Sequence, residues 1–185
     1  MQEPTPRRPQ DQRSAEMRAR LVAAGRAVFV EQGFAESGTP EIVAAAGVTR
    51  GALYHHFADK TDLFRTVVRA EAEAVARAVS SGDDGLEAGA GAWFAAMREP
   101  GRVRLLLRDG PAVLGQAEMA RIDAQTGGAT LRDGLAALLG GGPEVAALAD
   151  ILSAGFDRAA LAMSEGADPA PYRAALDRLF ALLRG

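Results

Sequence analysis

The stretch "GVTRGALYHHFADK" (residues 47–60) holds both histidines of the chain, His55 and His56, and its one lysine, Lys60, beside Tyr54. Such a cluster suits metal binding, proton transfer or a grip on phosphates. Metal binding fits poorly. Adjacent histidines on a helix point about 100° apart, so His55 and His56 cannot share one ion. Asp59 and Asp62 lie nearby, but no pair of histidines stands at four-residue spacing. Catalysis fits no better: there is no GxSxG elbow, no phosphate loop and no dinucleotide fingerprint. "GAGAW" (residues 90–93 and the glycine before them) is glycine-rich but follows no strand pattern. We therefore expect no enzyme, no metal and no cofactor, and read the cluster as a phosphate grip. The competing role for Tyr54 and His56 is packing, and a tyrosine can do both.

Composition sets the frame for this cluster. Of 185 residues, 48% are hydrophobic and 24% charged, enough for a packed core. Aromatics are few and alanine and leucine plentiful, which favours helices packed through small residues. The absence of cysteine excludes disulfides and thiolate metal sites. No apolar run approaches the roughly 20 residues that span a bilayer. The opening "MQEPTPRRPQDQ" has no signal-peptide core. The expectation is a cytoplasmic protein with no membrane partner. Net charge is −3, with +1 over residues 1–66 and −4 beyond, so charge alone does not announce nucleic-acid binding.

The periodicity is helical throughout, with no convincing strand alternation. Residues 1–12 read as a flexible tail carrying Arg7 and Arg8, either a solvated segment or an arm that follows DNA. From Arg13, the apolar positions Met17, Leu21, Ala24, Val28 and Phe29 form one stripe, ended by Gly33, with Phe34 as a packing anchor. Thr39-Pro40 opens a short helix that ends at Gly47. Thr49 is placed to cap a second short helix, and a longer one runs from about Lys60 to Ser80. Further breaks are expected at Pro100-Gly101, at 110–115, around Thr126-Gly127-Gly128 and at 140–143, with two closing helices over about 144–165 and 170–184.

Two helices of about two turns joined at Gly47-Val48-Thr49 have the spacing of a helix-turn-helix. Ile42, Ala46, Val48 and Leu53 would share a small core. That leaves Arg50, Gly51, Ala52, Tyr54 and His55 on the face that enters a major groove. Arg50 can pair with guanine, Gly51 allows close approach, and Ala52 offers a methyl contact to thymine.

The segment "GFAESGTPEIVAAAGVTRGALYHHFADKTDLF", extended back through "VFVEQGF", closely resembles the DNA-binding segment of the TetR/AcrR family of bacterial transcriptional regulators. The match covers about residues 15–66. Its most diagnostic residues are Gly47-Val48, Leu53-Tyr54, His56-Phe57, Lys60 and Leu63-Phe64. The resemblance implies an all-α fold: a three-helix helix-turn-helix domain (13–60), then a helical ligand-binding and dimerisation domain (61–185). It implies phosphate contacts from Thr39, Thr49, Tyr54, His56 and Lys60, the Lys60 backbone amide helped by its position at a helix start, and base-edge contacts from Arg50, Gly51, Ala52 and His55. It further implies a homodimer on a palindromic operator, acting as a repressor released by a small-molecule effector. The alternative is a DNA-binding module controlled by a protein partner, or one without an inducer. Val43 and Gly38 depart from the family pattern. Val43 bears on the helix angle, and Gly38 leaves the first short helix to be capped by Thr39 or Ser37.

In the rear domain, Trp93, Phe94 and Met97 lie on one helix and read first as core, second as the lining of a ligand cavity. Leu107, Met119 and Phe156 are comparable lining candidates. Arg102, Arg104 and Arg108, with Asp109, read as an ion-paired face or as an anion site. The closing helices carry apolar rows, Val145 to Phe156 and Tyr172 to Leu183, which either close the core or pair with a second copy.

Overall fold

The computed structural model describes residues 10–81 and 85–184. They contain helices and no strand. Arg7 and Arg8 lie outside the described residues. The described chain divides into two compact units between Val67 and Val68.

The first unit begins with α1 (Gln10–Gln32). Residues 10–12, expected in the tail, are already helical: no proline falls between Gln10 and Gln32, and Asp11 suits the first turn. Leu21, Ala24, Val28 and Phe29 are buried along the expected stripe. Gly33 ends the helix at φ 83°, a left-handed conformation that glycine adopts without penalty. Helices α2 (Thr39–Ala46) and α3 (Arg50–His56) follow, then α4 (Lys60–Ser80). The core of the unit is aromatic. Phe64 is fully buried, its ring edge-on to Phe29 at 5.1 Å and to Phe34 at 4.9 Å between centroids. At Gly25, α1 comes close to α4: a Cβ there would stand 3.1 Å from Leu63.

The second unit holds the rest of α4 with α5 (Leu86–Met97), α6 (Gly110–Leu114), α7 (Gln116–Ala124), α8 (Gly127–Leu139), α9 (Pro143–Ser164) and α10 (Pro169–Leu183). Its core joins Phe94 of α5 and Leu135 of α8 to Leu152 and Phe156 of α9, and to Leu176 and Phe180 of α10.

The break expected from Gly110 does not occur there. Residues 104–109 wind as a π-helix that runs straight into α6, and the Gly110 N–H donates to the Leu105 carbonyl. The wider turn accommodates Pro111, which has no N–H to continue an α-helical ladder. Gly110 is needed for a close approach instead: a Cβ there would meet the Leu105 oxygen at 2.7 Å and Met119 at 3.0 Å. The chain turns only at Gly115, φ 81°.

The apolar rows of α9 and α10 serve two faces. Val145, Leu152, Phe156, Leu176 and Phe180 are buried in the unit's own core. Ile151 is 67% exposed, Leu179 46% and Leu182 78%.

Candidate nucleic-acid interface and cavity

The α2–α3 angle is fixed at its turn. Gly47 sits at φ 61°, ψ 42°, its N–H donating to the Ala44 carbonyl while that of Val48 donates to the Val43 carbonyl. The Arg20 guanidinium, reaching from α1, donates to the Ala46 carbonyl at 2.6 Å. The end of α2 is thereby tied to the helix that supports it.

The start of α2 differs from expectation. Gly38 occupies the cap position and no side chain caps the helix; the Ser37 hydroxyl donates instead to the Phe34 carbonyl at 2.9 Å. Neither Thr39 nor Ser37 is the cap. Thr39 is already the first helical residue, and Glu41 lies across the N-terminus, where its charge suits the helix dipole. A side chain at position 38 would run into the Glu41 carboxylate.

Helix α3 has the expected cap: the Thr49 hydroxyl accepts from the Ala52 N–H at 3.2 Å. Leu53 is fully buried, and Arg50, Gly51, Tyr54 and His55 are exposed. Ala52 and His56 are half-buried. The Arg50 guanidinium lies 5.5 Å from the Tyr54 ring centroid. The nearby Thr39 hydroxyl first, then the Arg50 guanidinium, hold the Tyr54 phenol below its ordinary range. Thr39, Arg50 and Tyr54 thus form one polar group bridging the start of α2 and the outer face of α3. Its donors are those that phosphate recognition uses. The His55 and His56 rings meet edge to face at 5.2 Å. Among the described residues, no group of three His, Asp or Glu side chains is arranged to hold a metal ion.

Lys60 is occupied in a way the sequence did not announce. Its ammonium donates to the carbonyls of Phe34 at 2.7 Å and Ser37 at 2.8 Å and lies over the Phe34 ring. The side chain latches the loop before α2 to the start of α4. The backbone N–H, in the first turn of α4, is the group left to face a phosphate.

The second unit contains a cavity of about 350 Å³. Trp93, Met97, Leu107 and Met119 line it, but Phe156 does not. The Phe156 ring is 6% exposed in the core and backs the Trp93 ring at 4.9 Å, so it supports the wall from behind. Three aspartates line the same space: Asp123 of α7, and Asp150 and Asp157 of α9. Asp150 and Asp157, two turns apart on one face of α9, were a visible signal; that Asp123 joins them depends on how α7 packs. Asp123 accepts from the Gly128 N–H at 3.2 Å and from the Ser153 hydroxyl at 3.4 Å. The Asp123 side chain is exposed overall, and loss of water on its cavity side raises its carboxyl above its ordinary range. Burial first, then the charge of Asp123, pushes Asp157 up to about 7 from an ordinary 3.8.

This shift makes stability depend on pH. Between about pH 4 and 7 the folded protein holds a proton on Asp157 that the unfolded chain has released. Stability from this group therefore falls as pH rises through that window and levels off above it. Asp157→Asn should remove the slope and stabilise the protein at pH 8 by about 1–3 kcal/mol, less than the full shift because a carboxylate near solvent relaxes. Urea melts at pH 5 and pH 8 measure it; an equal or lower stability of the variant at pH 8 contradicts the assignment.

The arginines resolve as an ion-paired face. Arg102 Nε donates to Glu71 at 2.8 Å in a nearly buried pair. Arg104 pairs with Asp109, and Arg108 with Glu165.

A capped, glycine-turned pair of short helices with a polar outer face defines a helix-turn-helix protein. Residues 21–67 match the family described as bacterial regulatory proteins, tetR family, and residues 84–185 match the tetracyclin repressor-like C-terminal domain. A TetR-family transcriptional regulator from Pectobacterium atrosepticum is 30% identical, over 95% of this chain and 97% of that one, with a TM-score of 0.67. A transcriptional regulator from Rhodococcus sp. Rha1 is also 30% identical, over 90% and 95%, with a TM-score of 0.66. The HTH-type transcriptional repressor BepR of Brucella suis is 46% identical over 55 residues, which span 30% of this chain and 26% of BepR. The chain belongs to the tetR family of bacterial regulatory proteins.

Proposed function

We propose that this protein is a cytoplasmic, homodimeric transcriptional repressor that binds a palindromic operator and is released by a small-molecule effector. The observation that carries the reading is the outer face of α3. Arg50, Gly51, Ala52 and His55 meet base edges, while Thr39, Thr49, Tyr54, His56 and the Lys60 amide hold phosphates. Residues 13–60 form the DNA-binding domain and residues 61–185 the domain for ligand and dimerisation. The name of BepR supports repression. Among the described residues, no helix is long and apolar enough to cross a membrane.

Dimerisation uses the exposed apolar side chains of α9 and α10, Ile151, Leu179 and Leu182. Two-fold symmetry doubles the contacts of a recognition helix that alone reads only a few base pairs. The cavity lined by Trp93, Met97, Leu107 and Met119 receives the effector, and it favours this reading over a module without an inducer. Ala72 and Val75 of α4 also line the cavity, and α4 begins at Lys60 beside the recognition helix. A ligand that prefers one position of α4 would alter operator affinity; coupling of about 1–3 kcal/mol gives a 5- to 150-fold change.

The test is sedimentation of the purified protein, followed by anisotropy titration on duplex DNA from upstream of its own gene. A dimer that binds this DNA at least a hundredfold better than scrambled duplex supports the proposal. A monomer, or equal binding to both, overturns it.

A further inference from the structure

We propose that the cavity of the second unit takes a cationic ligand with an aromatic or apolar body, its positive charge held by Asp157 and Asp123 and its body by Trp93, Met97 and Met119. This rests on the reading of the cavity as the effector site, and names the class of effector. The lining has two parts. One is an apolar wall in which Trp93 presents an aromatic surface and Met97 and Met119 are adaptable and polarizable. The other is a set of carboxylates from two helices, Asp123 on α7 with Asp150 and Asp157 on α9.

The charges facing this set leave it short of a cation. Asp123 has the Gly128 amide, the Ser153 hydroxyl and, at longer range, Arg132 of α8, set against the like charge of Asp150. Asp157 faces burial and the charge of Asp123, with no cation offsetting either among the described residues. An anionic ligand would add to the repulsion, and a neutral one would leave it in place. A cation removes it.

The same arrangement ties binding to protons. With its carboxyl at about 7, Asp157 is largely protonated in mild acid. A cation binds the carboxylate, so binding expels that proton. Affinity for a permanent cation should therefore fall by up to about tenfold per pH unit below 7 and level off above it. In mild acid the proton leaves Asp157 itself uncharged beside the charge of Asp123.

Trp93 is the only tryptophan in the chain and lines the cavity, so its emission reports occupancy. The probes are phenyltrimethylammonium, whose charge does not titrate, and tert-butylbenzene, its neutral counterpart of the same shape. Both are titrated into the full-length protein and into Asp157→Asn and Asp123→Asn, with a melt of each variant to verify folding. The expected result is saturable quenching by the cation, at least tenfold tighter than by the neutral compound. This preference should shrink at least tenfold in Asp157→Asn, and with it the pH dependence. If the neutral compound binds as well as the cation, the charge assignment fails while the cavity stands as a binding site. If neither perturbs Trp93 up to millimolar concentration, the cationic assignment and the cavity's role as effector site both fail. DNA binding by α3, measured separately, is untouched by either outcome.

Discussion

Gly51→Leu should leave the protein folded, or slightly more stable, and remove most of its affinity for specific DNA. Gly51 is a helical residue on the exposed face of α3, and a Cβ there meets only the Thr49 hydroxyl, at 3.9 Å. Within the protein there is room for a side chain. Replacing glycine in a helix gains roughly 0.5–1 kcal/mol of intrinsic preference. Against DNA there is no such room if α3 enters the groove backbone first, as the proposal requires. The leucine would push the helix away and spoil the contacts of Arg50 and His55 together. A loss of about 1–3 kcal/mol per half-site, comparable to a mismatched base pair, becomes roughly 30-fold to 10⁴-fold for two half-sites. Binding to random duplex at low salt should fall far less, because phosphate contacts dominate there. Paired thermal melts and anisotropy titrations measure both effects. A variant that folds normally and binds its operator unchanged would place α3 outside the groove.

Phe64→Ala is expected to have the largest effect on stability. The ring is fully buried and meets Phe29 and Phe34 edge to face, so the substitution removes two aromatic contacts and leaves a void between α1, the following loop and α4. Buried phenylalanine-to-alanine changes cost about 3–5 kcal/mol. Natural domains hold only about 5–15 kcal/mol in total, so the helix-turn-helix unit should be partly unfolded near 37 °C. The Lys60 latch should fail with it, since the ammonium sits on the Phe34 ring that Phe64 supports. Phe64→Leu keeps most of the volume and should cost less than half as much. Denaturant unfolding of the pair measures this; a loss below about 1 kcal/mol for alanine would mean that the aromatic cluster is not the unit's keystone.

What the sequence disclosed and what it hid follow from the range of the interactions. Gly47, Thr49 and the start of α4 at Lys60 were legible because each is set by local backbone chemistry: a left-handed turn, a cap, a helix start. The aromatic anchor Phe34 was legible from its place just past a helix end. The cap of α2 was misread because glycine can occupy the cap position without a side chain, while Glu41 meets the helix dipole from within the first turn. The break at Gly110 was misread for a related reason. Glycine and proline there serve a π-helix and a close approach by Met119, which no local pattern declares. Phe156 was expected in the lining and Asp123 drew no expectation, because the place of each depends on packing between distant helices: the phenylalanine lies behind the cavity wall and the aspartate lines the cavity. The Lys60 side chain, a phosphate contact by type, is spent on two carbonyls more than twenty residues away.

The central claim is that α3 lies in the major groove of a two-fold symmetric DNA site. Selection from a random-sequence duplex pool, followed by methylation interference at guanine N7 in the enriched sequence, addresses it directly. The account predicts a palindrome in which N7 methylation, a major-groove mark, blocks binding at symmetric guanines, and in which Arg50→Ala loses discrimination at those positions. Failure to enrich any symmetric sequence, or binding indifferent to major-groove methylation throughout the enriched site, would contradict it.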